Sequence, residues 1–175
     1  MLSSSAQAAI RSRIKAKFSE VFVPGGKGKE HHQGLGIKSK GNNTLVTDID
    51  HFVSATVKEE ILRGHPDLCF VSEEDLSALT FPAAVLDPID GTHELVRGLP
   101  ECSLSLAIMR TPRLDDPGNW AWIHNPFTGF DLDSGVPMTP APNAELSHLL
   151  GLVSRGEWNR SLKDRPMPHD VRLAP

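Results

Sequence analysis

Cysteine is scarce: the 175 residues contain only Cys69 and Cys102, each inside an apolar or alternating run. That scarcity sets aside a disulfide framework and a four-cysteine zinc site, and both thiols suit a reducing cytoplasm. Also missing is any stretch near the roughly 18 apolar residues that a membrane span requires. The amino terminus has no apolar signal core, because Arg11, Arg13, Lys15 and Lys17 interrupt it, so a soluble, cytoplasmic protein is expected. Basic residues are not in excess. Eighteen Lys and Arg against 22 Asp and Glu give a formal charge of -4, which offers no footprint for a nucleic-acid polymer. No internal repeat is visible. What remains, 39% hydrophobic and 23% charged residues, is a globular composition that fits one domain over residues 1–175.

Periodicity supplies the elements. Ala6, Ile10, Ile14, Phe18 and Val21 recur at helical spacing and predict an amphipathic helix over residues 4–22. Residues 24–36 turn to Gly, Lys and His and read as a loop, with His31-His32 a solvated pair rather than metal ligands. Leu45-Val46-Thr47 reads as a short strand entering a helix over residues 48–63. Its buried stripe is Phe52, Val53, Thr56, Val57 and Ile61, and Gly64 is its stop. Two short apolar runs, Leu68-Cys69-Phe70-Val71 and Ala83-Ala84-Val85-Leu86, each end in acids, Glu73-Glu74 and Asp87 with Asp90. Leu104, Leu106 and Ile108 alternate with Ser103, Ser105 and Ala107, the period-two pattern of a strand with one buried face, and Trp120 and Trp122 continue the style. Asn125-Pro126-Phe127-Thr128-Gly129 is a turn before Phe130-Asp131-Leu132, giving an antiparallel hairpin. Residues 137–143 read as a proline-rich connector, and residues 149–154 and 171–173 as final strands. Strand runs and hairpins with two long helices argue an α+β fold, helices layered on an antiparallel or mixed sheet.

The acids carry the chemistry. Magnesium takes hard oxygen ligands, keeps several waters and is held by a few carboxylates plus substrate phosphate; Glu73, Asp87 and Asp90 supply such a set. Pro88 fixes the backbone just after a strand, so that two acids and the Ile89 carbonyl turn toward one point. Crowding these acids without a cation raises their pKa values. Gly91-Thr92 opens a short helical turn through Val96, whose backbone N–H groups suit a phosphate. Two metals there would activate a water and stabilise a leaving oxygen. Plainer readings exist: Asp-Pro with Gly is also a surface turn, and Ser72-Glu73-Glu74-Asp75 is also a solvated loop or a helix start.

Three stretches in this order, Val46-Thr47-Asp48-Ile49-Asp50, Ser72-Glu73-Glu74 and Leu86-Asp87-Pro88-Ile89-Asp90-Gly91-Thr92, resemble the signature motifs of the inositol monophosphatase family, lithium-sensitive, magnesium-dependent phosphatases. The likeness extends through Leu95-Val96-Arg97-Gly98-Leu99-Pro100 and the 125–129 turn, most of residues 38–132. It implies the N-terminal part of the inositol monophosphatase and fructose-1,6-bisphosphatase fold. It further implies that Glu73, Asp87 and the Ile89 carbonyl hold a first Mg2+, that Asp87 and Asp90 hold a second, and that Gly91 and Thr92 receive the phosphate. Thr92, paired with Asp50, would orient or deprotonate the attacking water, with Glu73 also in the catalytic set. Thr47 would support the turn, and Asp48 would have no catalytic duty. A homodimer acting on a small phosphorylated substrate, away from membranes, is the corresponding expectation.

Two departures qualify the resemblance. His93-Glu94 stands where inositol monophosphatases more often show Thr-Asn, and an acid at the second position is closer to 3'(2'),5'-bisphosphate nucleotidases. Family members also carry a later α/β segment with a Trp-Asp pair that completes the second metal site. Here Trp120, Trp122 and Trp158 are followed by Ala, Ile and Asn, and only residues 151–158 resemble the start of that segment. The expectation is a member lacking most of the second segment: a truncated product, a divergent short form, or one that borrows the rest from a partner. Asp164 and Asp170 read as solvated rather than as substitutes for the missing acid. Three activities stay open: hydrolysis of an inositol monophosphate-like ester, a bisphosphate nucleotidase-like activity, and metal and phosphate binding without turnover.

Overall fold

The computed structural model of the chain describes residues 1–22, 34–39, 45–75 and 77–137. Chain contacts define a compact unit Met1–Pro137, and a second unit, Met138–Pro175, falls outside the described residues. With it lie the expected connector beyond Pro137, both final strands, the 151–158 likeness, Asp164 and Asp170. Of the expected loop, His31-His32 and the other residues up to 33 also lie outside the described residues.

Helix α1, Ser4–Val21, starts where Ser3 accepts the Ala6 N–H at 3.2 Å. Its Ile10, Ile14 and Phe18 are buried, the stripe that the 3.6-residue period predicts. After the two-residue strands β1, Lys38–Ser39, and β2, Leu45–Val46, which pair antiparallel, comes α2, Asp48–Gly64. A capping box opens α2: Thr47 Oγ1 accepts the Ile49 N–H at 3.2 Å while Asp50 Oδ2 accepts the Thr47 N–H at 2.7 Å. The helix stops at Gly64, as expected. That glycine is the last helical residue, and His65 caps the helix through its N–H to the Ile61 carbonyl at 2.8 Å, with no left-handed turn.

Five strands follow: β3, Cys69–Ser72; β4, Ala83–Asp90; β5, Ser103–Met109; β6, Trp120–His124; and β7, Asp131–Asp133. They lie side by side in chain order, β3 parallel to β4 and the remaining pairs antiparallel. The sheet is therefore mixed, and the fold is α+β as expected. The β6–β7 hairpin is held at its turn by Asn125, whose Oδ1 accepts the N–H groups of Phe127 and Thr128, both at 2.9 Å. Between β4 and β5 stands the five-residue helix α3, Thr92–Val96.

The core is one cluster. Ile10, Ile14 and Phe18 of α1 and Val53, Val57 and Ile61 of α2 join Leu86, Leu104, Leu106, Ile108, Trp120 and Trp122 of the sheet. Fully burying each such side chain contributes about 1.5–3 kcal/mol relative to leaving it exposed. Residues between them on the strands, among them Val85, Ala107 and Ala121, are half-buried or exposed. No helix of the described residues is long and apolar enough to cross a membrane.

Candidate active site

Parallel pairing explains why two acidic motifs meet. Since β3 and β4 run the same way with Ser72 opposite Leu86, their carboxyl ends lie side by side, and the Glu73 N–H donates to the Leu86 carbonyl at 3.2 Å. Glu73, just past β3, and Asp87, within β4, are thus neighbours at the carboxyl end of this strand pair. The expectation that Pro88 follows the strand needs correction: β4 continues through Asp87-Pro88-Ile89-Asp90, with a register shift against β5 between Asp87 and Asp90. A bulge accommodates Pro88, which has no N–H to give to a ladder, and bends the strand so that both acids reach one cleft.

That cleft has a volume of about 280 Å³ and is lined by Leu45, Glu73, Asp87, Ile89, Asp90, Gly91, Thr92, His93 and Glu94. Every residue expected to bind metal or phosphate is among them. Asp50 lies beneath, 2% exposed, at the start of α2. Its Oδ1 accepts the Thr92 hydroxyl at 3.3 Å, and its Oδ2 accepts both the N–H and the hydroxyl of Thr47, at 2.7 and 2.6 Å. Thr47 is therefore the cap that aims Asp50, a firmer role than the turn support expected of it. The Thr92 hydroxyl also reaches the Ile89 carbonyl at 2.9 Å, so its single proton is shared between a carbonyl and a carboxylate.

Gly91 makes the corner. Its φ of +99° is the left-handed region open to glycine, and a Cβ there would stand 2.6 Å from the Glu101 carbonyl oxygen and 3.1 Å from the Cys102 Cα. Helix α3 then begins with the N–H groups of Glu94 and Leu95 both directed to the Gly91 carbonyl, at 3.0 and 3.1 Å.

Electrostatics mark Asp87 as the unusual group. Burial, followed by the neighbouring charges of Asp90 and Glu73, pushes its pKa up to about 6, against the pull of the Ile89 N–H. Its Oδ1 is buried without a hydrogen-bond partner. An orphaned carboxylate oxygen among like charges fits a cation at that point, and the oxygen-only donor set suits a hard one. Among the described residues no three His, Cys, Asp or Glu side chains converge as a closed metal cage. Magnesium sites do not need such a cage, being made of one or two carboxylates with carbonyl, phosphate and water oxygens. Burial also raises Asp50, with the Thr47 bonds opposing and Glu74 assisting. Cys102 behind the corner is pushed up to about 12 by burial and then by Asp50, Asp90 and Glu94, so it stays a thiol.

Sequence reasoning missed Leu45 as a cleft residue, since a short strand before a helix carries no chemical signal. It also gave Glu74 no place, although that side chain is 5% exposed, 3.9 Å from His51 Nδ1.

Such a site, on an α+β scaffold with acids at paired strand ends, belongs to a known class. The chain belongs to the inositol monophosphatase family, whose family model matches residues 3–135. Among curated relatives it is 37% identical over 86 residues to "Nus factor SuhB" of Pasteurella multocida, covering 47% of this chain and 32% of that protein. It is also 37% identical over 70 residues to "Fructose-1,6-bisphosphatase/inositol-1-monophosphatase" of Thermotoga maritima, covering 40% and 27%. Each match thus spans only about a third of the relative's length or less. Solved structures share the fold: Thermotoga maritima IMPase with a TM-score of 0.63 at 19% identity, over 97% of this chain and 66% of that one. An IMPase/NADP phosphatase complexed with Mg2+ and phosphate gives 0.67 at 15%, over 97% and 65%.

Proposed function

We propose that this chain is a magnesium-dependent phosphatase, or the part of one that holds metal and phosphate, acting on a small phosphate monoester. The observation that carries the reading is the buried, partnerless Oδ1 of Asp87 between the charges of Asp90 and Glu73. Glu73, Asp87 and the Ile89 carbonyl would hold one Mg2+, and Asp87 with Asp90 a second; Gly91 and Thr92 would take the phosphate. Bound magnesium supplies charge for the phosphoryl oxygens and makes a water easier to ionise.

The chain's own residues then manage the proton. Thr92 Oγ1 accepts a hydrogen bond from the attacking water and passes its own proton toward Asp50 Oδ1, 3.3 Å away. Burial raises the Asp50 pKa and so favours its taking that proton, while Thr47 keeps the carboxylate aimed. A bond forms between the water oxygen and phosphorus, the ester P–O bond breaks, and the alcohol leaves with a proton from solvent. The relative named fructose-1,6-bisphosphatase/inositol-1-monophosphatase and the structure holding Mg2+ and phosphate support this reading. We also expect a homodimer, which sedimentation velocity reads directly.

Phosphate release from a panel of small phosphomonoesters, with and without magnesium, tests the proposal. Magnesium-dependent release that Asp90→Asn abolishes is the expected outcome; no release by the wild type, or undiminished release by the variant, overturns it. A second reading, in which magnesium and phosphate bind but no ester is cleaved, is favoured by the missing Trp-Asp acid, since Trp120, Trp122 and Trp158 are followed by Ala, Ile and Asn.

A further inference from the structure

Helix α2 brings more to the site than Asp50. Ser54 and Lys58 follow Asp50 at intervals of four residues, so the three side chains share one stripe of the helix. Asp50 reaches Thr92, Ser54 Oγ lies 2.9 Å from Ser72 Oγ, and Lys58 Nζ donates to Asp75 Oδ2 at 2.6 Å. Ser72 and Asp75 are the two ends of the turn that carries Glu73 and Glu74, and each gives its N–H to the other's carbonyl, both at 3.1 Å. With the Glu73 N–H on the Leu86 carbonyl at 3.2 Å, those bonds set the turn's shape and tie one corner to β4. The outer corner, Asp75, is held to α2 by Lys58. This turn is under load: the charge of Glu73 helps to raise the pKa of Asp87, an interaction that pushes the two carboxylates apart until a cation lies between them. Lys58 opposes the push from behind. Its ammonium also lies 5.5 Å from the centre of the Phe70 ring on β3, so two contacts locate it.

We propose that Lys58, acting through Asp75, is a positioning residue for Glu73: it holds the acidic turn in place for metal binding before a cation arrives. The inference rests on the reading of Glu73 as a magnesium ligand given above. Because Asp50 and Lys58 stand on one helix, the same contact fixes Glu73 relative to the group that takes the water's proton. A ligand held in place beforehand spares the cation the work of ordering it. The ion pair itself is exposed, 43% for the Lys58 side chain and 40% for that of Asp75, and adds little to global stability. Its loss should therefore be read in metal affinity rather than in the unfolding transition.

The test is calorimetric titration of magnesium into the full chain with inorganic phosphate present, beside urea melts of the metal-free proteins. Lys58→Met keeps an apolar stem against Phe70 and removes the charge. It should raise the magnesium Kd about tenfold, the low end for outer-shell partners of metal ligands, with a melt close to that of the wild type. Asp75→Asn should do the same, and the double variant no more than either alone, because the two side chains act as one unit. Lys58→Arg, which returns a cation to Asp75, should bring the Kd back close to the wild-type value. Lys17→Met is the matched control: Lys17 also pairs with an exposed acid, Glu20 at 3.3 Å, and lies 5.8 Å from the Phe52 ring, but its acid is a neighbour on its own helix. That variant should leave the Kd unchanged. If the wild type binds magnesium and Lys58→Met weakens binding no more than Lys17→Met does, or Lys58→Arg weakens it as much as Lys58→Met, the positioning role is wrong while the metal site stands. If the wild type binds no magnesium, the metal-site reading fails and takes this inference with it.

Discussion

Two groups of acids occupy the same sheet under opposite conditions. At the far edge, Asp131 accepts Arg11 Nη1 at 2.9 Å and Trp122 Nε1 at 2.8 Å, and lies 2.9 Å from His124 Nδ1. Asp133 accepts Trp120 Nε1 at 2.6 Å and Gln7 Nε2 at 3.0 Å. These carboxylates fasten α1 to the β6–β7 hairpin. At the other end Asp87 keeps a buried oxygen without a partner, and its neighbours Asp90 and Glu73 repel it. Both oxygens of the acids that serve the fold are bonded, whereas Asp87 keeps one oxygen that no hydrogen-bond donor among the described residues reaches. The contrast separates stability from function, because a strained group persists only where the rest of the structure holds it in place.

The largest effect expected from breaking this contrast falls on activity. Asp87→Asn should lower magnesium-dependent phosphate release by at least about a hundredfold. Removal of the crowded charge should also raise the stability of the metal-free protein by about 1 kcal/mol once solvent screening is allowed for. Parallel turnover assays and urea melts check both signs.

Gly91→Ala attacks the corner that joins the two functions. It forces a side chain into the left-handed region and against the Glu101 carbonyl, so urea denaturation should show a loss of about 3 kcal/mol. Asp131→Asn, in contrast, should cost about 2 kcal/mol by orphaning Arg11 and weakening the bonds of Trp122 and His124, with turnover per folded molecule close to wild type.

The smallest effect is a pH dependence at the paired edge. His124, 3% exposed, has its pKa lowered from 6.5 by burial despite the opposing pull of Asp131. The unfolded chain therefore takes up this proton more readily than the folded one, and stability is lost as pH falls below 6.5. Thermal melts between pH 5 and 8 should show a shallow decline on the acid side that His124→Gln flattens.

How much of this was legible beforehand differs by element. Helix α1 was readable because five apolar residues recur at helical spacing, and β5 because Leu104, Leu106 and Ile108 alternate with small residues. Site residues stood out because Asp87-Pro88-Ile89-Asp90-Gly91-Thr92 and Ser72-Glu73-Glu74 are unusual local combinations, and the cleft does gather them. The bulge was not legible: periodicity gave Asp87 a place after β4, whereas pairing with β5 resumes at Asp90 opposite Ser103. Register is set between strands, and one strand's residues do not encode it. Nor was the network of Asp131 and Asp133, since it joins residues more than a hundred positions apart, through Arg11 and Gln7.

The central claim is that the unpaired end of the sheet takes a divalent cation and phosphate. Calorimetric titration of magnesium into the protein in the presence of inorganic phosphate tests it most directly. Saturable binding by the wild type that is lost in Asp87→Asn and kept in Asp131→Asn is the predicted result; no binding, or equal binding by all three proteins, would contradict it.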